Sequence, residues 1–227
     1  MLAYEIYNVY LCGIMKKFSL LILALLLSAT LVAQVRVACI GNSITYGSGI
    51  KDREHDTYPA QLQVLLGEGY DVRNFGVSGC TAQRAGDKPW TQMKEYEEAK
   101  AFLPQVAVIK LGTNDTKPQN WKGSEPFIRD LEALAREFES LPSHPKVIIA
   151  LPATAYEVKW GIRDSVIRVG ELKPIRKMAK RNKWALVDLH KATAKMPERF
   201  PDGIHPDPKG AGIIADRVMR AIRKLKK

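Results

Sequence analysis

The chain has 227 residues, of which 46% are hydrophobic and 26% are charged, and this balance predicts one sizeable globular domain. Its formal net charge is +11. Much of the basic excess lies on two predicted helices near the C-terminus, which favours solvated helix faces, with attraction to an acidic glycan as the alternative. No nucleic-acid-binding motif accompanies this charge, so we predict no nucleic-acid partner.

The N-terminus has the composition of a targeting segment. Residues 15–17 read Met-Lys-Lys and precede an apolar run over residues 18–33, which is shorter than the roughly 20 residues that span a bilayer. This pattern, with a small residue at Ala33, predicts a secretory signal peptide, and an uncleaved anchor is the alternative. We therefore predict an extension and signal peptide in residues 1–33, one domain in residues 34–227, and a bacterial periplasmic or extracellular location without a membrane span after cleavage.

Five short apolar runs predict β-strands, at residues 35–40, 71–75, 106–111, 147–151 and 185–189. Near-continuous apolar composition is typical of strands that are covered on both faces. Helical periodicity fills segments between and after them, at residues 58–68, 124–140, 166–182 and from Asp207-Pro208 onwards. Strands that alternate with helices predict a mainly parallel five-stranded sheet between two helix layers, which is an α/β fold.

Two details of the helices are open to a structural check. The first helix places Leu62, Leu65 and Leu66 on one side, so we expect these leucines to face the core. The helix over residues 166–182 contains Pro174, which predicts either a kink or a later start than the periodicity indicates.

Polar segments follow three of the strands and a fourth lies near the C-terminus. They are Gly41-Asn42-Ser43-Ile44-Thr45, Gly76-Val77-Ser78-Gly79, Gly112-Thr113-Asn114-Asp115 and Asp202-Gly203-Ile204-His205-Pro206. Parallel strands bring their carboxyl ends to one edge of the sheet. If the first strand lies between the second and third, then Ser43, Gly79 and Asn114 converge there.

These residue types suit acyl transfer. A serine is a weak nucleophile until a neighbouring base takes its proton, and His205 is the candidate base for Ser43. Asp202 lies three residues before His205 and can hold its Nδ1. The N–H groups of Ser43 and Gly79 and the side-chain amide of Asn114 can stabilise an oxyanion. Each segment alone is typical of a turn, but the four in this order predict an ester-cleaving site.

The four segments resemble the motif blocks of the SGNH hydrolases, also called GDSL esterases, and the similarity extends from Val35 to the last helix. The resemblance implies a flavodoxin-like three-layer α/β/α sandwich. It also implies a triad of Ser43, His205 and Asp202 and an oxyanion hole of Ser43, Gly79 and Asn114. One position departs from the family pattern, because Asn42 stands where an aspartate is usual. An asparagine keeps the acceptor oxygen and loses the charge.

Within this family the chain is most similar to bacterial carbohydrate O-acetylesterases, including sialate and xylan acetylesterases. The segments that carry this similarity are residues 41–47 and 112–121. It implies an exported serine esterase that removes O-acetyl groups from carbohydrates. Trp121, Trp90 and Trp160 are candidates for stacking on a sugar ring, and core or lid aromatics are the alternative for each.

Two other functions remain open at this stage. One is a lipid esterase, such as a lysophospholipase or thioesterase, although the sequence shows no long apolar groove. The other is a glycan-binding module without catalysis, which the joint presence of Ser43, Asp202 and His205 disfavours. The substrate expected is an acetylated glycan or another small ester.

No metal or cofactor is predicted. The four histidines, His55, His144, His190 and His205, lack the spacing of zinc ligands, and Gly41 opens no phosphate-binding loop. Cys39 and Cys80 are predicted to be buried thiols, with a disulfide between them as the alternative.

Overall fold

A computed structural model gives the fold and describes residues 33–225. The predicted extension and signal peptide lie outside the described residues except for Ala33, so the division of the chain into leader and domain stays a prediction. Among the residues that are described, no helix combines the length and apolar character needed to cross a bilayer.

Five parallel strands form one sheet in the order β2-β1-β3-β4-β5. Their bounds are β1 Val35–Gly41, β2 Tyr70–Gly76, β3 Val106–Lys110, β4 Lys146–Ala150 and β5 Ala185–Val187. The strand order changes direction at β1, which lies between β2 and β3 as the convergence of the polar segments requires. In parallel sheets ligands bind in the crevice at such a point.

Eight helices of the described chain surround the sheet. They are α1 Ser43–Tyr46, α2 Arg53–Asp56, α3 Tyr58–Leu66, α4 Lys94–Ala101, α5 Ser124–Glu139, α6 Leu172–Arg181, α7 Leu189–Thr193 and α8 Pro208–Lys224. One turn at Asp164–Val166 and a π-helical segment at Ile167–Glu171 precede α6, and 3₁₀ turns lie at Trp90–Gln92, Thr113–Thr116 and Pro197–Arg199.

Two apolar cores separate the sheet from its two helix layers. Successive residues of β1 alternate between them: Ile40 packs in the core that contains α5 and α6, and Cys39 packs in the core that contains α3 and α8. The predicted stripe of α5 is buried completely, with Phe127, Leu131, Leu134 and Phe138 no more than 1% exposed. The three-layer α/β/α sandwich is therefore confirmed.

The structure corrects two sequence-based predictions, one on the burial of a leucine and one on the end of a strand. Leu65 is 39% exposed, because the buried face of α3 follows Tyr58, Leu62 and Leu66 at a spacing of four residues. β5 ends at Val187 rather than at residue 189, since the Asp188 side chain accepts the N–H of Lys191 and so caps α7.

Pro174 has the effect predicted for a later helix start. The regular helix α6 begins only at Leu172, after the π-helical segment. A proline has no N–H to give to the carbonyl four residues earlier. That carbonyl, of Gly170, instead accepts the hydroxyl of Ser124 at 2.7 Å.

Candidate active site

Ser43 lies on the short turn that leaves the central strand. β1 ends at Gly41, and Asn42 caps α1 by accepting the N–H of Ile44 on its Oδ1 at 3.2 Å. Ser43 is thus the first residue of α1 and is 5% exposed. Gly76 lets this turn pack on β2, because a Cβ there would stand 2.2 Å from the backbone nitrogen of Tyr46.

Asp202 and His205 occupy the loop before α8. The Oδ1 of Asp202 accepts the N–H groups of Ile204 at 2.9 Å and His205 at 2.7 Å, so the carboxylate shapes the loop that carries the histidine. Its Oδ2 lies 2.7 Å from Nδ1 of His205, and Nε2 of His205 lies 2.8 Å from Oγ of Ser43. Three side chains from the two ends of the chain form one line of hydrogen bonds.

The surroundings of Asp202 favour its ionised form, which is the form that can accept the hydrogen on Nδ1 of His205. Partial burial alone raises the pKa of its carboxyl, but the hydrogen bonds from the backbone N–H and the ring of His205, and from Ile204, outweigh burial and lower the pKa. An ionised carboxylate accepts a proton-bearing Nδ1, which leaves Nε2 as the acceptor that faces Ser43.

Gly79 and Asn114 follow the neighbouring strands. Gly79 has a φ of +85°, a backbone conformation that a residue with a Cβ rarely adopts. The Nδ2 of Asn114 donates to the carbonyl of Cys80 at 3.1 Å, which uses one of its two hydrogens and ties the two segments together. In the described turns and loops, neither Ser43 nor Gly79 gives its N–H to a backbone acceptor.

Asp115 fastens the same two segments, a role that the sequence analysis missed. It is fully buried, and its carboxylate accepts the N–H groups of Ala82 at 3.0 Å and Gln83 at 2.8 Å. Burial raises the pKa of Asp115 to about 6, although these backbone hydrogen bonds act in the opposite direction. The position of Asp115 directly after Asn114 was the sequence feature from which this role could have been predicted.

The three tryptophans differ sharply in position. Trp160 is 55% exposed and its ring centroid lies 5.3 Å from that of His205, so it stands beside the histidine. Trp121 is half-buried and packs against Phe127. Trp90 is 1% exposed and its indole N–H donates to the carbonyl of Phe75. This burial favours the alternative that Trp90 is a core aromatic.

Two other histidines and the two cysteines of the domain take no part in the line of hydrogen bonds at Ser43. His55 pairs with Asp52, and His190 pairs with Asp164. Cys39 and Cys80 are buried free thiols. No group of three or more potential metal ligands occurs within residues 33–225.

Comparison with known proteins places this geometry in a family. The model of the GDSL-like lipase/acylhydrolase family matches residues 39–213. An acetylxylan esterase of Xylanibacter ruminicola is 40% identical over 208 residues, which cover 83% of this chain and 43% of that protein. The chain therefore spans less than half the length of this relative.

Solved structures share the fold at low sequence identity. A carbohydrate acetylesterase from Sinorhizobium meliloti has a TM-score of 0.66 and 16% identity, covering 85% of this chain and 100% of that one. An aryl esterase from M. smegmatis has a TM-score of 0.68 and 18% identity, with the same coverage. A two-domain esterase active on acetylated mannans has a TM-score of 0.63 and 18% identity, covering 86% of this chain and 51% of that one.

A serine, histidine and aspartate joined in one line is the arrangement that serine hydrolases share across unrelated folds. Here it lies at the carboxyl edge of a parallel sheet, in an α/β/α sandwich. The chain belongs to the GDSL-like lipase/acylhydrolase family. The family resemblance drawn from the four sequence segments is confirmed.

Proposed function

We propose that this protein is an exported serine esterase that removes O-acetyl groups from carbohydrates, with Ser43, His205 and Asp202 as its triad. The observation that carries the proposal is the line of hydrogen bonds, 2.8 Å from Ser43 Oγ to His205 Nε2 and 2.7 Å from His205 Nδ1 to Asp202 Oδ2. The first contact is short enough for His205 to take the proton of Ser43, and the second holds the imidazole ring in place.

The reaction follows from this order of groups. Nε2 of His205 takes the proton of Ser43 while Oγ attacks the acetyl carbonyl carbon, and Asp202 stabilises the imidazolium that forms. The imidazolium then protonates the departing sugar oxygen, which leaves an acetyl ester on Ser43. Water, activated by His205 in the same way, hydrolyses this ester and releases acetate.

The negative oxygen of each tetrahedral intermediate needs preorganised donors. We assign this role to the backbone N–H groups of Ser43 and Gly79 and to the second amide hydrogen of Asn114. The first amide hydrogen of Asn114 bonds to the Cys80 carbonyl, which fixes the orientation of the side chain before substrate arrives. Donors that are already oriented stabilise the transition state without a reorganisation cost.

Replacing Asn114 with alanine is expected to lower kcat by two to three orders of magnitude, roughly the effect of removing one oxyanion donor elsewhere. KM should change little, because the donor acts mainly in the transition state. Steady-state kinetics with p-nitrophenyl acetate measures both constants. Asn182→Ala, at the end of α6, is the control variant, and an unchanged kcat in Asn114→Ala would place Asn114 outside the reaction.

Three observations support an acetylated carbohydrate as the substrate. The acetylxylan esterase relative is 40% identical to this chain, and the structural neighbours include esterases named for acetylated carbohydrates. Trp160 presents an exposed indole beside His205. An aromatic face close to the base is suited to contact the pyranose ring that carries the departing oxygen.

Replacing Trp160 with alanine is expected to raise KM for acetylated xylo-oligosaccharides by roughly fivefold, the equivalent of about 1 kcal/mol of ring contact. The kcat/KM for p-nitrophenyl acetate should stay within about twofold, because a small ester does not need the sugar platform. Val158→Ala, two residues away and 78% exposed, is the matched control. Equal losses on both substrates would show that Trp160 supports His205 rather than the sugar.

The choice of substrate class is tested by two series of esters. One series contains p-nitrophenyl esters from acetyl to dodecanoyl, and the other contains acetylated and deacetylated xylan fragments. We expect kcat/KM to fall steeply beyond short acyl chains and acetate to be released from the acetylated fragments. A preference for long chains would favour the lipid esterase, and glycan binding without turnover of any ester would favour the binding module.

Export is the part of the proposal that depends on residues 1–33. Its support is the sequence pattern of a basic start and an apolar run. Expression in a bacterial host with fractionation and N-terminal sequencing tests it. An uncleaved chain retained in the membrane fraction would favour the anchor instead.

A further inference from the structure

Four buried polar side chains have no part in the reaction described above. They are Asn42, Lys110, Thr113 and Glu171, and each is at most 2% exposed. Lys110 ends β3, where it pairs in register with Gly41, the last residue of β1. A lysine is rarely buried to this extent without a partner.

Lys110 holds the amide of Asn42. Its Nζ donates to Asn42 Oδ1 at 3.3 Å, and the same oxygen accepts the N–H of Ile44 at 3.2 Å. Two donors on one oxygen fix which way the amide faces, because a reversed amide would present its NH₂ group to both of them. Ile44 directly follows Ser43, so the orientation of this amide is coupled to the backbone of the nucleophile.

Glu171 supplies the opposite charge. It is the last residue of the π-helical segment and is fully buried, and neither carboxylate oxygen has a hydrogen-bond partner among the described residues. One of these oxygens lies 2.9 Å from the position that a Cβ of Gly112 would take. Asn42 Nδ2 and Thr113 Oγ1 are likewise buried without a partner in the described chain.

Lys110 and Glu171 act on each other electrostatically. Burial lowers the pKa of Lys110 to about 7, and the charge of Glu171 opposes this change. Burial and then Asp115 raise the pKa of Glu171 well above its ordinary value, and Lys110 opposes them. Each group therefore favours the charged form of the other, although no hydrogen bond joins them among the described residues.

We propose that Lys110, with Glu171 as its buried counter-group, is a positioning residue that holds the Asn42 amide and through it the attacking orientation of Ser43. The proposal accounts for the departure at position 42. An aspartate there would compete with Glu171 for the single ammonium group, whereas the neutral amide of Asn42 accepts from Lys110 without adding a second buried negative charge. The inference rests on Ser43 being the nucleophile.

The test separates positioning from folding stability. Lys110→Met, Glu171→Gln, the double variant and Leu134→Ala are compared with the intact chain for Tm, and for kcat and KM on p-nitrophenyl acetate. Leu134 lies on the buried face of α5 and serves as a control for general destabilisation. All variants are made in the same full-length chain.

Lys110→Met is expected to lower Tm and to lower kcat at least about tenfold, with KM within about twofold, because the nucleophile is misplaced and not the substrate site. Glu171→Gln should also lower Tm, since it leaves Lys110 without its counter-group. The double variant should regain much of the Tm, because neither charge is left unmatched. Its kcat should stay low, because the donor to Asn42 is still missing. Leu134→Ala should lower Tm with kcat unchanged.

Recovery of kcat together with Tm in the double variant would overturn the positioning role, as would an unchanged kcat in Lys110→Met. If Lys110→Met alone does not fold, the double variant decides by the same criterion. Ser43→Ala is run in parallel. Full activity in that variant would refute the proposed function itself, whereas an inactive Ser43→Ala beside a fully active Lys110→Met would refute only the role of Lys110.

Discussion

Replacing Ser43 with alanine is expected to lower kcat on p-nitrophenyl acetate by about four to six orders of magnitude, while the fold is kept. The hydroxyl is the atom that forms the acyl-enzyme, so no neighbouring group can take over its part. The change removes a single oxygen from a side chain that contributes little to either apolar core. Circular dichroism and Tm measurements check the fold, and a sensitive chromogenic assay checks the rate.

Ser140→Ala is the matched control for this experiment. Ser140 is exposed at the end of α5, and its hydroxyl bonds only to the carbonyl of Glu137. Its replacement should leave kcat within experimental scatter. A Ser43→Ala variant that hydrolyses p-nitrophenyl acetate at the rate of the intact chain would mean that the reaction uses another nucleophile.

Replacing His205 with glutamine is expected to cost a comparable four to six orders of magnitude in kcat. Glutamine has a similar reach but cannot accept a proton, so Ser43 keeps its hydrogen. Because the triad acts as a unit, the double variant Ser43→Ala/His205→Gln should be no slower than either single variant. A multiplied loss in the double variant would show that the two side chains act independently.

His55 offers a close control for His205. Asp52 lies three residues before His55, and its Oδ2 is 2.9 Å from Nδ1 of His55, so the local pair repeats the Asp202–His205 arrangement. This second pair is exposed, and within residues 33–225 no serine bonds to the ring of His55. His55→Gln should leave kcat unchanged, which isolates the contact with Ser43 as the property that matters.

The same line of groups sets the direction of the pH dependence. Activity should fall as the pH is lowered, because a protonated imidazole cannot accept the proton of Ser43. The pKa of Asp202 is lowered, so this carboxylate stays ionised below its ordinary range and keeps its hydrogen bond to the ring of His205. A rate that stays constant into strongly acidic buffers would count against His205 as the base.

Much of the fold followed from local patterns. The strands were predictable because short apolar, β-branched runs such as residues 106–111 are typical of strands that are covered on both faces. The start of α8 was predictable because the Asp207 side chain bonds to the N–H of Gly210 within the same turn. Both signals act over a few residues and do not depend on distant parts of the chain.

Features that depend on packing were harder to predict. The burial of Trp90 depends on Tyr96 and Phe138, which contact its ring in the folded chain. The apolar run of residues 106–111 hides Lys110, although a charged residue at the end of a central strand indicates a buried partner. Its partners at positions 42 and 171 are far away in sequence, so only the fold could show why a lysine is tolerated there.

The sequence by itself determined which chemical groups are available and which strand each one follows, since composition and local hydrogen bonding are encoded within a few residues. It also contained two aspartate–histidine pairs of the same spacing. Only the tertiary structure decided that His205, and not His55, meets Ser43 Oγ, at 2.8 Å. The reason is that the position of a loop relative to a strand is fixed by the packing of α8 against the sheet, which sums many long-range contacts that no single segment contains.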